Sequence, residues 1–302
     1  MTTFDDLMLL RAFIAIVESG SISGGARRLK IPQPTLSRYL RTLEGSCGSA
    51  LLRRDTHRMS LTETGHRLLA DARAILDLAE EAEHRLRADQ TTLSGHLRIF
   101  ATIDSGQSFV TRLLTKFLQL NARVTAELAF TNRPLHLIQE GCDVAIVAGR
   151  LTDENVIARP AGSLSQYLAA SPALVKSRPS VKGPADVHSW PWIELSGHQF
   201  RETRKITLYD PNRTERTLSI APVLTSEGVT SIREAVLAGL GIALLPDWLI
   251  RDDILSGRLL RVLPNWLAKD LPIHVVYAAH RVLPVRVRSF VDFAVDYLTQ
   301  AL

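Results

Sequence analysis

Glutamine, hydroxyl and arginine side chains recur over one short stretch of the chain, and these groups bind nucleic acid bases and phosphates. Gln33, Thr35 and Ser37 are followed by Arg38 and Arg41. Arginine can bind guanine through O6 and N7 at once, glutamine can bind adenine in the same way, and small hydroxyls reach phosphate oxygens or base edges. Their spacing predicts that they share the polar face of one helix, which can enter the major groove of DNA.

Three short helices are predicted to position this face. The first carries a stripe at Leu7, Leu10, Ile14 and Val17 and ends at Gly20. Ser21 can cap a second helix over about 22–29. The third helix begins near Pro34, which is tolerated at a helix start, and its buried stripe is Leu36, Leu40 and Leu43. Three such helices, the last polar on its outer face, are typical of a helix-turn-helix.

Basic charge is concentrated in the same region. The chain has a net charge of +5, and residues 21–62 hold eight basic residues against two acidic ones. Residues 51–61 predict a β-hairpin with a basic tip, a wing whose arginines could contact phosphates or the minor groove. On charge alone, a solvated surface remains the alternative. The predicted DNA-binding residues are Ser23, Gln33, Pro34, Thr35, Ser37, Arg38, Arg41, Arg53, Arg54 and Arg58.

Several short motifs resemble those of the LysR-type transcriptional regulators. In the first 65 residues they are Leu9-Leu10-Arg11-Ala12-Phe13, Glu18-Ser19-Gly20-Ser21, Ala26-Arg27-Arg28-Leu29, Gln33-Pro34-Thr35-Leu36-Ser37-Arg38, Leu43-Glu44 and Leu61-Thr62-Glu63-Thr64-Gly65. The chain departs from the family pattern at Gly24-Gly25, Pro32 and Leu52. The two glycines are expected to soften the second helix, since each costs roughly 1 kcal/mol relative to alanine. The resemblance implies a winged helix-turn-helix over residues 1–63.

A long helix is predicted over residues 64–91. Its apolar residues step by four and three positions, which is the spacing of a coiled-coil seam. The predicted dimerisation residues are Leu68, Ala72, Ile75, Ala79, Ala82 and Leu86. Packing of this helix on its own chain is the alternative. The resemblance implies a homodimer through this linker helix, and a tetramer that bends DNA as the working assembly.

The remaining residues, 92–302, alternate between strands and helices, which predicts a mostly parallel sheet flanked by helices and an α/β fold overall. Further family motifs occur at Leu97-Arg98-Ile99, Asp143-Val144-Ala145-Ile146, Ala169-Ala170-Ser171-Pro172 and residues 238–246. The resemblance implies an effector-binding domain of two subdomains, like periplasmic binding proteins. Subdomain I is expected at about 92–164 and 268–302, subdomain II at about 165–267, and the chain crossings near 163–170 and 265–275.

Ligands of open α/β sheets bind beyond the carboxyl ends of the strands. The predicted effector-binding residues there are Thr102, Ser105, Thr131, Asn132, Arg150, Ser196 and Ser226. Hydroxyls, helix N-termini and Arg150 suit a small anion, whereas Asp104, Glu194 and Glu227 would repel one unless they point elsewhere. Asp104 and Ser105 have the alternative role of capping a helix.

Catalytic and metal-binding patterns are missing from the sequence. The nine histidines and two cysteines form no metal-ligand spacing, and no nucleophile elbow or phosphate-binding glycine loop occurs. We therefore predict no enzyme activity, no metal and no cofactor. No apolar run approaches the roughly 20 residues of a membrane span, and the acidic N-terminus is unlike a secretory signal. The low cysteine content fits a reducing cytoplasm, where we expect the protein to act.

These observations predict a transcriptional regulator, activator or repressor, that binds double-stranded operator DNA. A small polar metabolite bound between the C-terminal subdomains would modulate that binding, and RNA polymerase is an expected partner of an activator. Two alternatives remain at this point. One is a small-molecule-binding protein whose basic head packages DNA without sequence preference, and the other is an enzyme with a regulatory head.

Overall fold

The computed structural model describes residues 6–54, 59–86, 93–132, 141–149, 151, 156–196, 204–279 and 283–301. Arg58 and Arg150 lie outside the described residues, as do the side chains of Arg54 and Leu86. The described part consists of a helical head with a two-stranded wing, one long helix, and two α/β subdomains. The predicted fold class is confirmed.

The head is built from α1 (Leu7–Ser19), α2 (Ile22–Leu29) and α3 (Gln33–Cys47). Asp6 caps α1 by accepting from Met8 N at 2.8 Å, and Ser21 caps α2 by accepting from Gly24 N at 3.0 Å. The helices pack around one core that includes Phe13, Leu36 and Leu43. The predicted stripe of α3 is buried, which leaves the opposite face of that helix free for solvent. In α1 the predicted stripe lies at the edge of the core, since Leu7, Ile14 and Val17 are half-buried and the fully buried face includes Phe13 and Ile16.

Gly24 and Gly25 allow α2 to lie close to α1. A Cβ at Gly25 would approach Ala15 C and Ile16 N to 3.1 and 3.0 Å, and one at Gly24 would lie 2.8 Å from Ser19 Cβ. Larger residues at these two positions would force the helices apart. The glycines expected to soften α2 thus permit a close helix contact.

The wing and the long helix follow directly. Strands β1 (Leu52–Arg54) and β2 (Met59–Leu61) pair antiparallel, and α4 runs over Glu63–Leu86. Thr62 connects them, because its Oγ1 donates to Ala50 O at 2.8 Å and accepts from Gly65 N at 3.0 Å. A Cβ at Gly65 would lie 2.1 Å from Leu51 O, so this junction requires glycine.

The first half of α4 packs into the head of its own chain. Leu68 and Ala72 are 7% and 0% exposed and belong to the core of the head. Their assignment to a dimer seam is therefore wrong, because side chains buried within one chain cannot also contact a partner helix. Ile75 is half-buried against the same core, and Leu78, which was not predicted, is 38% exposed.

The first α/β subdomain is a five-stranded sheet with the order β4-β3-β5-β15-β6. The strands are β3 (Ser94–Ala101), β4 (Arg123–Phe130), β5 (Val144–Ala148), β6 (Val156–Leu164) and β15 (Leu271–Ala278). Its helices are α5 (Ile103–Ser105), continued by a π turn at Gly106–Val110, then α6 (Thr111–Leu120) and α10 (Val285–Ala301). Phe117 and Phe290 join α6 to α10, with ring centroids 5.1 Å apart.

The second subdomain holds three small sheets, ordered β12-β7-β13, β11-β8 and β10-β9-β14. Its strands are β7 (Gln166–Ala170), β8 (Trp192–Leu195), β9 (Lys205–Tyr209), β10 (Glu215–Ser219), β11 (Pro222–Ser226), β12 (Ala243–Pro246), β13 (Leu260–Arg261) and β14 (Leu267–Ala268). Its helices are α7 (Pro172–Lys176), α8 (Val229–Leu237) and α9 (Asp247–Leu255), with a 3₁₀ turn at Pro184–Val187.

The expectation of a mostly parallel sheet is wrong for both subdomains. Only β3 with β4, β3 with β5, and β8 with β11 pair in parallel among the described C-terminal strands. Strand β15 returns from the second subdomain and runs antiparallel to both β5 and β6. A short turn joins β9 to β10, and short connections favour antiparallel pairing.

The chain passes between the two subdomains at two adjacent places. Ser165 separates β6 from β7, and two residues separate β14 from β15. Leu271 pairs with Leu164 in the sheet, so the outgoing and returning segments lie side by side.

Candidate DNA-binding face and effector cleft

The outer face of α3 presents the side chains that could bind DNA. Gln33, Pro34, Arg38 and Arg41 are exposed, and Thr35 and Ser37 are half-buried. Leu36, Leu40 and Leu43 on the opposite side are at most 3% exposed. The buried leucines therefore fix the rotation of α3 and direct its polar residues away from the head.

Ser23 connects the predicted set across two helices. Its Oγ donates to Gln33 Oε1 at 3.1 Å, and both residues are exposed. This hydrogen bond orders the first residue of α3, where a recognition helix contacts base edges.

The wing lies next to α3. Arg53 is exposed and stands opposite Ser60 in the hairpin, and Leu51 N donates to Glu44 Oε1 of α3 at 2.9 Å. This bond holds the start of the wing against the C-terminal part of α3.

A small cleft separates the two α/β subdomains. It has a volume of about 50 Å³, which holds only a few water molecules. Residues from both subdomains line it: Thr102, Asp104, Ser105, Asn132, Ala148, Leu164, Gln166, Leu195, Glu227, Val229, Pro246, Trp248 and Leu271. Ligand pockets for metabolites usually measure about 300–1,000 Å³, so this state of the cleft is closed.

Asp104 bridges the cleft and caps a helix of the other subdomain. Its Oδ2 accepts from Val229 N at 3.0 Å, and its Oδ1 accepts from Thr230 N and Thr230 Oγ1 at 3.1 and 2.5 Å. The alternative of a capping role is thus correct for Asp104, although the helix it caps is α8 and not its own.

Asn132 makes a second link. Its Nδ2 donates to Glu227 O at 2.8 Å across the cleft, and its Oδ1 accepts from Ile103 N at 3.1 Å. Thr102 Oγ1 and Ser105 Oγ lie 2.5 Å apart on the same wall. Thr102, Ser105 and Asn132 are therefore brought together as the sequence predicts.

Three other predicted effector residues lie outside the lining of the cleft. Thr131, Ser196 and Ser226 are not among the described residues that line the cleft. Ser226 Oγ instead accepts from Gly228 N at 3.2 Å in the turn before α8. The Glu194 carboxylate accepts a hydrogen bond from Arg204 N, and Glu194 is not among the described residues that line the cleft.

Gln166 and Trp248 line the cleft without having been predicted there, and Glu227, expected at the strand ends as a carboxylate that repels anions, lines it too. The Trp248 ring packs edge-on against Phe109 at 5.9 Å, and its Nε1 is a buried donor with no hydrogen-bond partner among the described residues. No local sequence pattern indicates that Trp248 lines the cleft, because its ring contact, Phe109, is far away along the chain.

A second charged site joins the head to the first α/β subdomain. Glu18 of α1 is 15% exposed and meets three arginines: Arg28 at 2.8 Å, Arg73 at 3.3 Å and Arg98 at 2.6 Å. These come from α2, α4 and β3. Arg98 also approaches Glu127 Oε2 at 3.2 Å. The sequence holds Glu18 in a family motif but gives no indication of these long-range contacts.

The described residues contain no cluster of three side chains able to hold a metal ion. None of the helices in the described ranges is long and apolar enough to cross a membrane.

Two known sequence families match the chain. Residues 7–66 match the bacterial regulatory helix-turn-helix protein, lysR family, and residues 90–299 match the LysR substrate binding domain. The second match alone covers more than half of the chain. It contains both walls of the cleft, and the first contains the exposed face of α3.

The chain is similar to full-length regulators over nearly its whole length. It is 30% identical to the HTH-type transcriptional regulator YhjC of Escherichia coli K12, with 99% of each chain covered. The solved structure of the Vibrio cholerae virulence activator AphB has 26% identity and a TM-score of 0.60, covering 97% of this chain and 99% of that one. CrgA of Neisseria meningitidis has 26% identity and a TM-score of 0.59, covering 96% and 98%. The chain therefore belongs to the LysR family of bacterial transcriptional regulators, with a helix-turn-helix for DNA and a substrate-binding domain behind it.

Proposed function

We propose that this protein binds a specific operator as a dimer, through α3 and the wing, and that a small molecule in the cleft between the subdomains modulates this binding. The exposed face of α3 is the observation that carries the proposal. Gln33, Arg38 and Arg41 are exposed there while the leucines behind them are buried. Residues 1–63 would form the DNA-binding domain, 64–91 the linker and 92–302 the effector-binding domain.

A dimer would place two copies of α3 on one DNA duplex. The exposed Leu78 on α4, next to the half-buried Ile75, Ala79 and Ala82, supports contact with a second copy of the helix. Two-fold symmetric dimers bind half-sites separated by whole turns of DNA. A dimer of dimers on bent DNA, and a contact with RNA polymerase in the case of activation, extend this proposal.

The effector would act by changing how the subdomains close. A ligand shifts such an equilibrium only by binding one arrangement better than the other. The Glu18 cluster supports a route from the effector domain to the head, because Arg98 of β3 and Arg28 of α2 bind the same carboxylate. The proposal assigns no catalytic step to the protein, and it places the protein in the cytoplasm with the chromosome.

Selection from random DNA tests the proposal. The full-length protein is incubated with a pool of random duplexes at physiological salt, and the bound DNA is sequenced over successive rounds. We expect enrichment of one sequence with two-fold symmetry. An excess of unselected duplex should then compete for binding at least 100-fold less effectively than the enriched sequence.

Equal competition by random DNA would contradict the proposal and favour a protein that packages DNA without sequence preference. Binding titrations at several salt concentrations separate phosphate contacts from base-specific contacts, since phosphate contacts weaken steeply with salt whatever the sequence.

A further inference from the structure

The N-terminus of α8 receives its cap from the opposite wall of the effector cleft. The residue before the helix, Gly228, has no side chain with which to cap it. Asp104 supplies a carboxylate in its place and accepts from the first two backbone amides of the helix and from the Thr230 hydroxyl. The cap therefore joins the subdomain that carries α5 to the one that carries α8.

A helix N-terminus favours an anion for two reasons. Its first amide groups lack partners within the helix, and the helix dipole places partial positive charge there. Helix α8 is held firmly behind this end, because Arg233 forms two hydrogen bonds with the fully buried Asp253 of α9, at 2.5 and 2.8 Å. The position that a carboxylate of a bound effector would take is occupied by the protein's own carboxylate.

The remaining groups at the cleft agree with this arrangement. Among the described residues that line it, the ionisable ones are Asp104 and Glu227, and both are acidic. Trp248 contributes a buried indole N–H that has no partner among the described residues. A neutral or cationic molecule can donate a hydrogen bond to the Asp104 carboxylate, whereas an anion that approaches this wall meets a like charge.

We propose that Asp104 is an internal anion that closes the cleft in the absence of effector and selects against negatively charged effectors. The inference rests on the proposed function, since it concerns the ligand class of the same cleft. The sequence leaves open whether the small polar effector is an anion, and the inference narrows that effector to a neutral or cationic one that bears hydrogen-bond donors. It also implies that opening the cleft breaks the hydrogen bonds between Asp104 and α8. The binding free energy of any effector must compensate for their loss.

Hydrogen exchange measured by mass spectrometry tests the closing role in the full-length protein. In D104A, we expect the amides of Val229 and Thr230 to exchange at least tenfold faster than in the unaltered protein, because they lose their acceptor. D104N keeps the shape and one acceptor oxygen, so an intermediate rate is expected, and this variant remains informative if D104A is poorly folded. D252N, which alters a carboxylate on the solvent side of α9, is the matched control and should leave exchange at α8 unchanged.

Chemical rescue with formate tests the anion site itself, because formate replaces the carboxylate that the alanine variant lacks. We expect formate at tens of millimolar to restore slow exchange at Val229 and Thr230 in D104A, and chloride at the same ionic strength to have no such effect. The unaltered protein should not respond to formate, since its site is filled.

Unchanged exchange in D104A and D104N would overturn the proposal, as would a formate effect of equal size in the unaltered protein. Binding of the selected operator is measured on the same preparations. Operator binding that survives in every variant while the formate result fails would refute the role of Asp104 alone, whereas the absence of specific binding in the unaltered protein would refute the proposed function.

Discussion

Arg38 projects from α3 on the side opposite Leu36 and Leu40, next to Arg41. Its guanidinium can bind a guanine edge with two hydrogen bonds. We expect R38A to weaken operator binding by about 1–3 kcal/mol, or roughly 5- to 150-fold, and to relax the base preference at one position of each half-site. Gel-shift titration against the selected operator and its single-base variants measures both effects.

R112A is the matched control for R38A, because Arg112 is an exposed arginine on α6 of the effector domain. It removes the same charge from the molecule far from α3. Equal binding by R38A and R112A would remove Arg38 from the DNA interface.

His274 gives a pH dependence to the stability of the first α/β sheet. Burial lowers the pKa of its imidazole, whose Nδ1 has no hydrogen-bond partner among the described residues. Because protonation is easier in the unfolded chain, His274 destabilises the fold as the pH falls through its unfolded value of about 6.5. We expect H274Q to lose less thermal stability than the unaltered protein between pH 7.5 and pH 5.5, as measured by its melting temperature.

H188Q serves as the control for that experiment, since His188 is exposed. Its melting temperature should fall with pH in parallel with that of the unaltered protein. A parallel fall in H274Q would show that the burial of His274 has no effect on stability.

Single residues differ in how far the sequence could predict them. The polar face of α3 follows from helical spacing alone, because the buried and exposed sets lie within one helix. Asp104 has a local interpretation as a cap of its own helix, and its actual partners, Val229 and Thr230, are 125 and 126 residues away. Gly25 likewise depends on the close approach of α1, which no local pattern records.

Helix α4 divides into two parts with different neighbours. Its first half packs into the head through Leu68 and Ala72, while Leu78 in its second half is 38% exposed. We expect L78E to shift the dimer toward monomer by about tenfold or more in dissociation constant, because a carboxylate would be buried between two helices. Sedimentation velocity over a range of protein concentrations measures the shift.

L255E places the same charge on Leu255 at the end of α9, which is 80% exposed. It should leave the dimer intact. A dimer that resists L78E as well would place the interface away from this part of α4.

The alternating order of strands and helices correctly predicted an α/β fold for the C-terminal part. It did not predict which strands pair or in which direction. Alternation predicts parallel strands only where each helix crosses over a single sheet. Here β6 leads into β7 through one residue, and β15 comes back between β5 and β6. The long-range return of the chain therefore determines the sheet, and a window of neighbouring residues does not contain that information.

The Glu18 cluster connects the head to the first α/β subdomain, which is far away along the chain. E18Q leaves Arg28, Arg73 and Arg98 close together without the carboxylate that binds them. We expect hydrogen exchange in α1 and α2 to rise by about tenfold, or about 1.4 kcal/mol. The loss is smaller than for a fully buried ion pair because Arg28 is 59% exposed.

A double-mutant cycle with R98Q isolates the contact between the two domains. If Glu18 acts through Arg98, the loss of stability against exchange in the double variant E18Q/R98Q should be clearly smaller than the sum of the losses in the two single variants. Strict additivity would mean that the two side chains stabilise the protein independently.

The adjacent pairing of Leu164 with Leu271 has a mechanical consequence for the molecule. Two connecting segments that lie side by side can act as a hinge with a single rotation axis. Segments far apart would restrict rotation of the subdomains about every axis. We therefore expect a bound effector to act on the head through the angle between the subdomains about that axis. Effectors of unlike shape would produce the same output at the head, differing in amplitude and not in kind.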